Sequence, residues 1–182
     1  MSTGYKIGKD DHAYFVTLTV IDWVDIFTRK IYRDIILESL TYCRQEKGLR
    51  VWAYVIMSNH VHCILSSPHC NLSNIIRDFK RYTAIKILKS IRAQPESRRD
   101  WMLKRFEFAA KSSVRNGQHQ FWMHNNHAEK LVSRKFVAQK LHYIHLNPVR
   151  AGWVEHTDEW MYSSARNYAN KTSLVEIDHL EI

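Results

Sequence analysis

Hydrophobic and polar positions change their period several times along the chain. "HAYFVTLTVI" (12–21) alternates and is rich in β-branched and aromatic residues, which predicts a first strand. From about Arg29 to Lys47, Tyr32, Ile36, Leu40 and Cys43 recur at helical spacing, and Gly48 supplies a stop. "LRVWAYVIM" (49–57) reads as a second strand. Ser58-Asn59 then fits a two-residue hairpin connection, since asparagine tolerates positive φ, with His60 to Ser66 as the antiparallel partner. Between Asn71 and about Arg92, Leu72, Ile75, Ile76, Phe79, Ile87 and Ile91 mark a buried helical stripe. Arg77, Lys80 and Arg81 lie largely off that stripe. "SRRDWMLKRFEFAAK" (97–111) predicts a shorter helix followed by a polar loop; the role of residues 94–120 is the least readable part of the chain.

"QFWMHNN" (120–126) fits a short strand or turn. Glu129 to about Leu146 fits a helix stopped by Pro148, because the residue before proline avoids the αR region. "EWMYSSARNY" (159–168) fits a short closing helix. There is no internal repeat, low-complexity tract or linker, so residues 1–182 are expected to form a single domain. The order strand–helix–strand–strand–helix predicts an α+β sandwich of the split βαβ kind.

Composition adds little until charge is considered. The chain is 45% hydrophobic and 25% charged, as expected of a globular protein. No apolar run approaches the roughly 18–20 residues of a membrane span, and the polar start MSTGYKIGKDDH does not resemble a secretory signal. Three cysteines (Cys43, Cys63, Cys70), without a CxxC pair, point to a reducing cytoplasm. A net charge of +9 and a pI near 9.5 favour a polyanionic partner, of which nucleic acid is the usual one. A basic enzyme with another substrate would show the same total. From Arg77 to Lys111 the chain holds 11 basic and 4 acidic residues, a local excess of +7.

Two short stretches carry candidate chemistry. In "YVIMSNHVHCIL" (54–65), an extended backbone points His60 and His62 to one face, about 6–7 Å apart along the strand. Val61, Cys63 and Leu65 point the other way. Two adjacent imidazoles on a rigid strand could grip one divalent ion, and two satisfied histidines on a wet sheet face would have the same spacing. In "KLHYIHLNPVRAG" (140–152), Tyr143 and Asn147 are one helical turn apart. The first presents a phenol, a potential nucleophile, and the second an amide oxygen able to bind a hard cation. A mid-helix tyrosine is more often a core residue. His142 and His145 read as surface or supporting groups rather than ligands.

"SNHVHCIL" followed by "YIHLNPVRAG" resembles the REP-associated tyrosine transposases of the HUH single-tyrosine superfamily, in which Val61 occupies the hydrophobic position. "YFVTLTV" (14–20) and "WMYSSARNY" (160–168) extend the resemblance over most of the chain. It implies a ferredoxin-like fold, an antiparallel sheet with flanking helices. It further implies His60 and His62 as Mg²⁺ or Mn²⁺ ligands and Tyr143 as the nucleophile. Asn147 stands where related transposases supply a glutamine-type third ligand. The implied activity is single-strand DNA cleavage and strand transfer at hairpin (REP-like) sequences through a 5′-phosphotyrosine. The expected partner is single-stranded or hairpin DNA, with Arg77, Lys80 and Arg81 on the phosphate backbone and either a monomer or a homodimer as the assembly. Trp52, Trp101 and Trp160 are expected in the core. Other readings are a domesticated hairpin-binding protein without catalysis, a replication or transfer nickase, and a metal hydrolase unrelated to DNA.

Overall fold

The computed structural model describes residues 7–112 and 117–180. The first half of the polar start, residues 1–6, and part of the expected polar loop, residues 113–116, lie outside the described residues. Four strands, β1 (Tyr14–Thr19), β2 (Arg50–Ile56), β3 (His60–Ser66) and β4 (Glu129–Lys130), form one antiparallel sheet in the order β2-β3-β1-β4. Helix α1 (Lys30–Lys47) connects β1 to β2 across the intervening β3, and α2 (Leu72–Ala93) and α3 (Arg99–Lys111) connect β3 to β4. This is the ferredoxin-like split βαβ topology. Helix α4 (Arg134–Arg150) follows the sheet, and a single turn, α5 (Ala165–Tyr168), lies near the end.

Strand alternation sorts the side chains into two apolar clusters. Val16, Leu18, Val61, Cys63 and Leu65 face α1, α2 and α3 and join the buried stripe Tyr32, Ile36, Leu40, Leu72, Ile76, Phe79 and Ile87. Phe15, Ala53, Val55 and Ile64 face the other way and meet Leu141 and Ile144 of α4. The sheet is therefore covered on both faces, and α4 lies over the face that carries His60 and His62. Gly48 ends α1 at φ +66°, where a Cβ would come within 2.9 Å of the His69 ring.

The C-terminal third departs from its expected pattern in three places. Glu129 and Lys130 pair with Phe15 and Tyr14 as β4, and the helix begins only after Ser133, whose Oγ accepts from Phe136 N at 3.2 Å. Strand pairing and an N-cap thus override a continuous helical pattern. Pro148 does not stop α4: the helix runs on to Arg150, and Ala151 N still donates to Asn147 O at 3.0 Å. Only the last four residues of "EWMYSSARNY" are helical, as α5; before them Ser163 makes a one-residue bridge to Val55, with Ile56 N donating to Tyr162 O and Ser164 N to Tyr54 O, both at 2.9 Å. That segment covers the free edge of β2. Residues 120–126 contribute only a one-residue bridge, Trp122 to Val20. Trp52 and Trp160 are partly buried against the core, but Trp101 is 50% exposed on α3.

Candidate active site

The β2–β3 hairpin closes with Met57 N donating to His60 O at 2.9 Å across Ser58-Asn59, so His60 opens β3. The connection is the expected one but its reason differs. Neither Ser58 nor Asn59 has positive φ; that conformation falls instead on Asp22 and Trp23 in the turn after β1. Asn59 acts through its side chain. Its Nδ2 donates to Trp23 O at 3.2 Å and to Asp25 Oδ1 at 3.1 Å, which fixes the amide's orientation and leaves Oδ1 facing His60 Nδ1 at 2.7 Å. An amide oxygen only accepts, so His60 carries its proton on Nδ1 and keeps a lone pair on Nε2.

On the same face, the antiparallel register sets Thr19 opposite His60 and Thr17 opposite His62. Thr17 Oγ1 lies 2.8 Å from His62 Nδ1, leaving Nε2 as that ring's second nitrogen. The two imidazole centroids are 4.6 Å apart, and Phe15 stacks on His62 at 5.4 Å. Burial pushes the His60 pKa down to about 4. Burial, with smaller contributions from His60 and Lys140, takes His62 down to about 3. Both rings are thus neutral near pH 7, the form that ligates a metal.

Helix α4 brings Tyr143 to this pair. Its ring lies edge-on to His62 at 5.2 Å and to Phe15 at 5.8 Å, and at 36% exposure it is not a core tyrosine. The Arg150 guanidinium stands 5.8 Å from the phenol ring, and Lys140 Nζ lies 4.3 Å over Phe15 while bonded to Glu129 at 2.7 Å. These cations bias the site toward negative charge. Asn147 is one turn further on, its Nδ2 donating to Tyr143 O at 2.8 Å, so its Oδ1 keeps its lone pairs. Among the described residues, no third His, Cys, Asp or Glu joins the two histidines as a metal-binding group.

His145 anchors the helix. Its Nε2 is 2.9 Å from Ser164 Oγ, which accepts from Tyr54 N at 2.9 Å, tying α4 to β2. Burial, and to a smaller extent His142, lowers the His145 pKa to about 4. His142 is exposed.

The basic helix sits elsewhere. Helix α2 packs on the sheet face opposite the histidines, with Arg77 and Arg81 exposed. Arg77 bonds Asp78 and Asn74, whereas Lys80 Nζ turns in to Met123 O (2.7 Å) and Asn126 Oδ1 (2.6 Å). Thr17, Asn59, Lys140 and Ser164 escape a reading of local pattern. Thr17 had a usable signal: pairing "YFVTLT" antiparallel to "HVHCIL" places it opposite His62.

Two paired histidines on a ferredoxin-like sheet, with a helix-borne tyrosine laid against them, define a histidine-and-tyrosine site. The particular family follows from comparison: the model described as "Transposase IS200 like" matches residues 9–111. The chain belongs to that family. The matched span includes His60 and His62; Tyr143 and Asn147 lie beyond it. The fold is also similar to a solved REP-associated tyrosine transposase bound to a REP hairpin, with a TM-score of 0.62, 17% identity, and coverage of 100% of this chain and 95% of that one. No curated protein matches the sequence. Among the described residues, no helix is long and apolar enough to cross a membrane.

Proposed function

We propose that this transposase-family protein is a metal-dependent single-strand DNA endonuclease and strand transferase that acts at hairpin sequences through Tyr143. The observation that carries the reading is the convergence of His60, His62 and Tyr143 on one sheet face, with ring centroids 4.6 and 5.2 Å apart in sequence. The hairpin-bound state of the structural relative supports the substrate class.

Two neutral imidazoles on one sheet face, with His60 Nε2 left as an acceptor, fit a divalent ion, and Asn147 on the helix of Tyr143 would be its third donor. Mg²⁺ or Mn²⁺ held there supplies electrostatic stabilisation of charge developing on the scissile phosphate. The chain's own residues do the rest. The phenol oxygen of Tyr143 attacks phosphorus and loses its proton; the bond to the 3′ oxygen breaks, and that oxygen is protonated to a 3′-OH. The product is a 5′-phosphotyrosine, and reversal by another 3′-OH rejoins DNA without ATP. The Arg150 guanidinium stands 5.8 Å from the Tyr143 ring, within reach of a bound phosphate, and His145 holds α4 in register through Ser164. Arg77 and Arg81 contact phosphates away from the cleavage point, and Lys80 braces the 123–126 loop that borders Thr17.

The test is an incubation with labelled hairpin DNA and Mn²⁺, read on a denaturing gel. Wild type forms a covalent adduct that mass spectrometry maps to Tyr143. Tyr143→Phe keeps the ring and binds DNA but forms no adduct; His60→Ala and His62→Ala lose cleavage and Mn²⁺ binding. Cleavage by Tyr143→Phe at the normal rate refutes the nucleophile, and undiminished cleavage by both histidine variants in chelator refutes the metal. Hairpin binding without any cleavage by wild type would identify a non-catalytic hairpin-binding protein instead.

A further inference from the structure

Asp22 and Trp23 lie at φ 52° and 55°, two consecutive residues with side chains in the left-handed region. L-residues adopt that conformation at a cost, and it persists where the surroundings over-determine it. Here they do: Trp23 N donates to Val20 O at 3.1 Å, and Trp23 O accepts from Asn59 Nδ2. The outcome is unusual for an indole. Val24, Ile26 and Phe27 immediately after it are buried, yet Trp23 is 57% exposed, with its ring edge-on to His60 at 6.0 Å. The turn holds a large flat aromatic face in water beside one of the two site histidines.

Cations at the start of α3 and along it reach the same turn. Arg105 Nη1 lies 3.9 Å from Asp22 Oδ2, a loose and half-exposed pair, and Arg98 reaches Asp25 O and Thr28 Oγ1 on the far side of the turn. Glu96 fixes the α2–α3 junction by accepting from Arg98 N at 3.1 Å and Tyr32 OH at 3.3 Å. The α3 segment, whose sequence pattern suggests no role, therefore delivers positive charge to the His60 end of the sheet.

We propose that Trp23 and Arg105 form a nucleotide subsite of this active site: the indole stacks on an unpaired base beside the scissile phosphate, and Arg105 takes that nucleotide's phosphate. The proposal rests on the single-strand DNA reading above. An exposed aromatic face with a neighbouring guanidinium is the chemistry that holds single strands without reading sequence. Among the described residues Arg105 pairs with Asp22 on this turn, and Asp25 is already engaged by Asn59.

Binding is measured by fluorescence anisotropy in chelator, so that no cleavage intervenes. One probe is a DNA hairpin with oligothymidylate tails at both ends; the other has tails of abasic sites of equal length. Trp23→Ala should weaken binding to the thymidylate probe by about 5- to 150-fold and leave the abasic probe nearly unchanged, with Trp23→Phe recovering most of the loss. Arg105→Gln should weaken both probes alike and flatten the dependence of log affinity on log salt by about 0.7. Equal losses for Trp23→Ala on both probes, or none on either, overturn the subsite. If wild type cleaves hairpin DNA while Trp23→Ala matches it on both probes, the subsite fails alone. If wild type binds neither probe, the DNA reading fails with it.

Discussion

Asn59→Ala tests whether an amide beside the histidine pair sets the chemistry of the proposed metal site. The substitution removes three hydrogen bonds, of 2.7, 3.1 and 3.2 Å, from a partly exposed position. At about 0.5–1.5 kcal/mol net for each, with the two longer ones exposed, the stability loss should be about 1–2 kcal/mol. The larger effect falls on His60. Without Oδ1 to accept from Nδ1, the imidazole proton is free to move to Nε2, and loss of such a supporting bond costs about 10- to 100-fold in metal affinity. Asn59→Asp separates the two effects. It keeps an acceptor for His60 Nδ1 but sets a carboxylate against Trp23 O and the Asp25 carboxylate, so stability falls while the tautomer is retained. Urea denaturation reads the first effect; paramagnetic resonance of free Mn²⁺ during titration of the metal-free protein reads the second. Heteronuclear NMR of the imidazole nitrogens near pH 7 assigns the proton directly. An unprotonated Nδ1 on His60 in wild type, or wild-type Mn²⁺ affinity in Asn59→Ala, would refute the reasoning.

Acid should destabilise the fold through its buried histidines. His60, His62 and His145 titrate at about 4, 3 and 4 when folded, against 6.5 ordinarily, so below pH 6.5 the unfolded chain binds more protons. Stability present above pH 6.5 therefore falls by up to about 1.4 kcal/mol per pH unit for each histidine and levels off once pH is below the folded values; a urea midpoint unchanged between pH 7 and 5 contradicts this. On α2, replacing Arg77 and Arg81 with alanine should weaken DNA binding and flatten its salt dependence by about 0.7 per lost phosphate contact, whereas Lys80→Ala should mainly lower stability by releasing Met123 and Asn126. An unchanged slope in the double variant would turn α2 away from DNA.

What could be read in the sequence and what could not divide along local and non-local lines. The β3 alternation, the α1 and α2 stripes and the Gly48 stop follow from period and backbone chemistry within a few residues, and each is found where expected. β4 has only two residues and thus no period; it exists because the edge of β1 offers Tyr14 and Phe15 as partners. The one-residue bridge of Ser163 before α5 likewise answers to the free edge of β2. At the site, the histidine pair is visible as HxH, but the face that α2 takes is not, and its cations lie across the sheet from the rings. Tyr143 shows the same limit: helical spacing cannot separate a core tyrosine from one set against His62, because the difference lies in which sheet face α4 covers. The groups that make the histidines competent are more remote still. Thr17, 45 positions before His62, reaches it only through strand register. Asn59 adjoins His60, yet its orientation depends on acceptors at Trp23 and Asp25. A motif thus supplies the imidazoles, while the pairing of distant strands and turns decides which of their nitrogens hold protons, and a substitution far from the motif can silence it without touching either histidine.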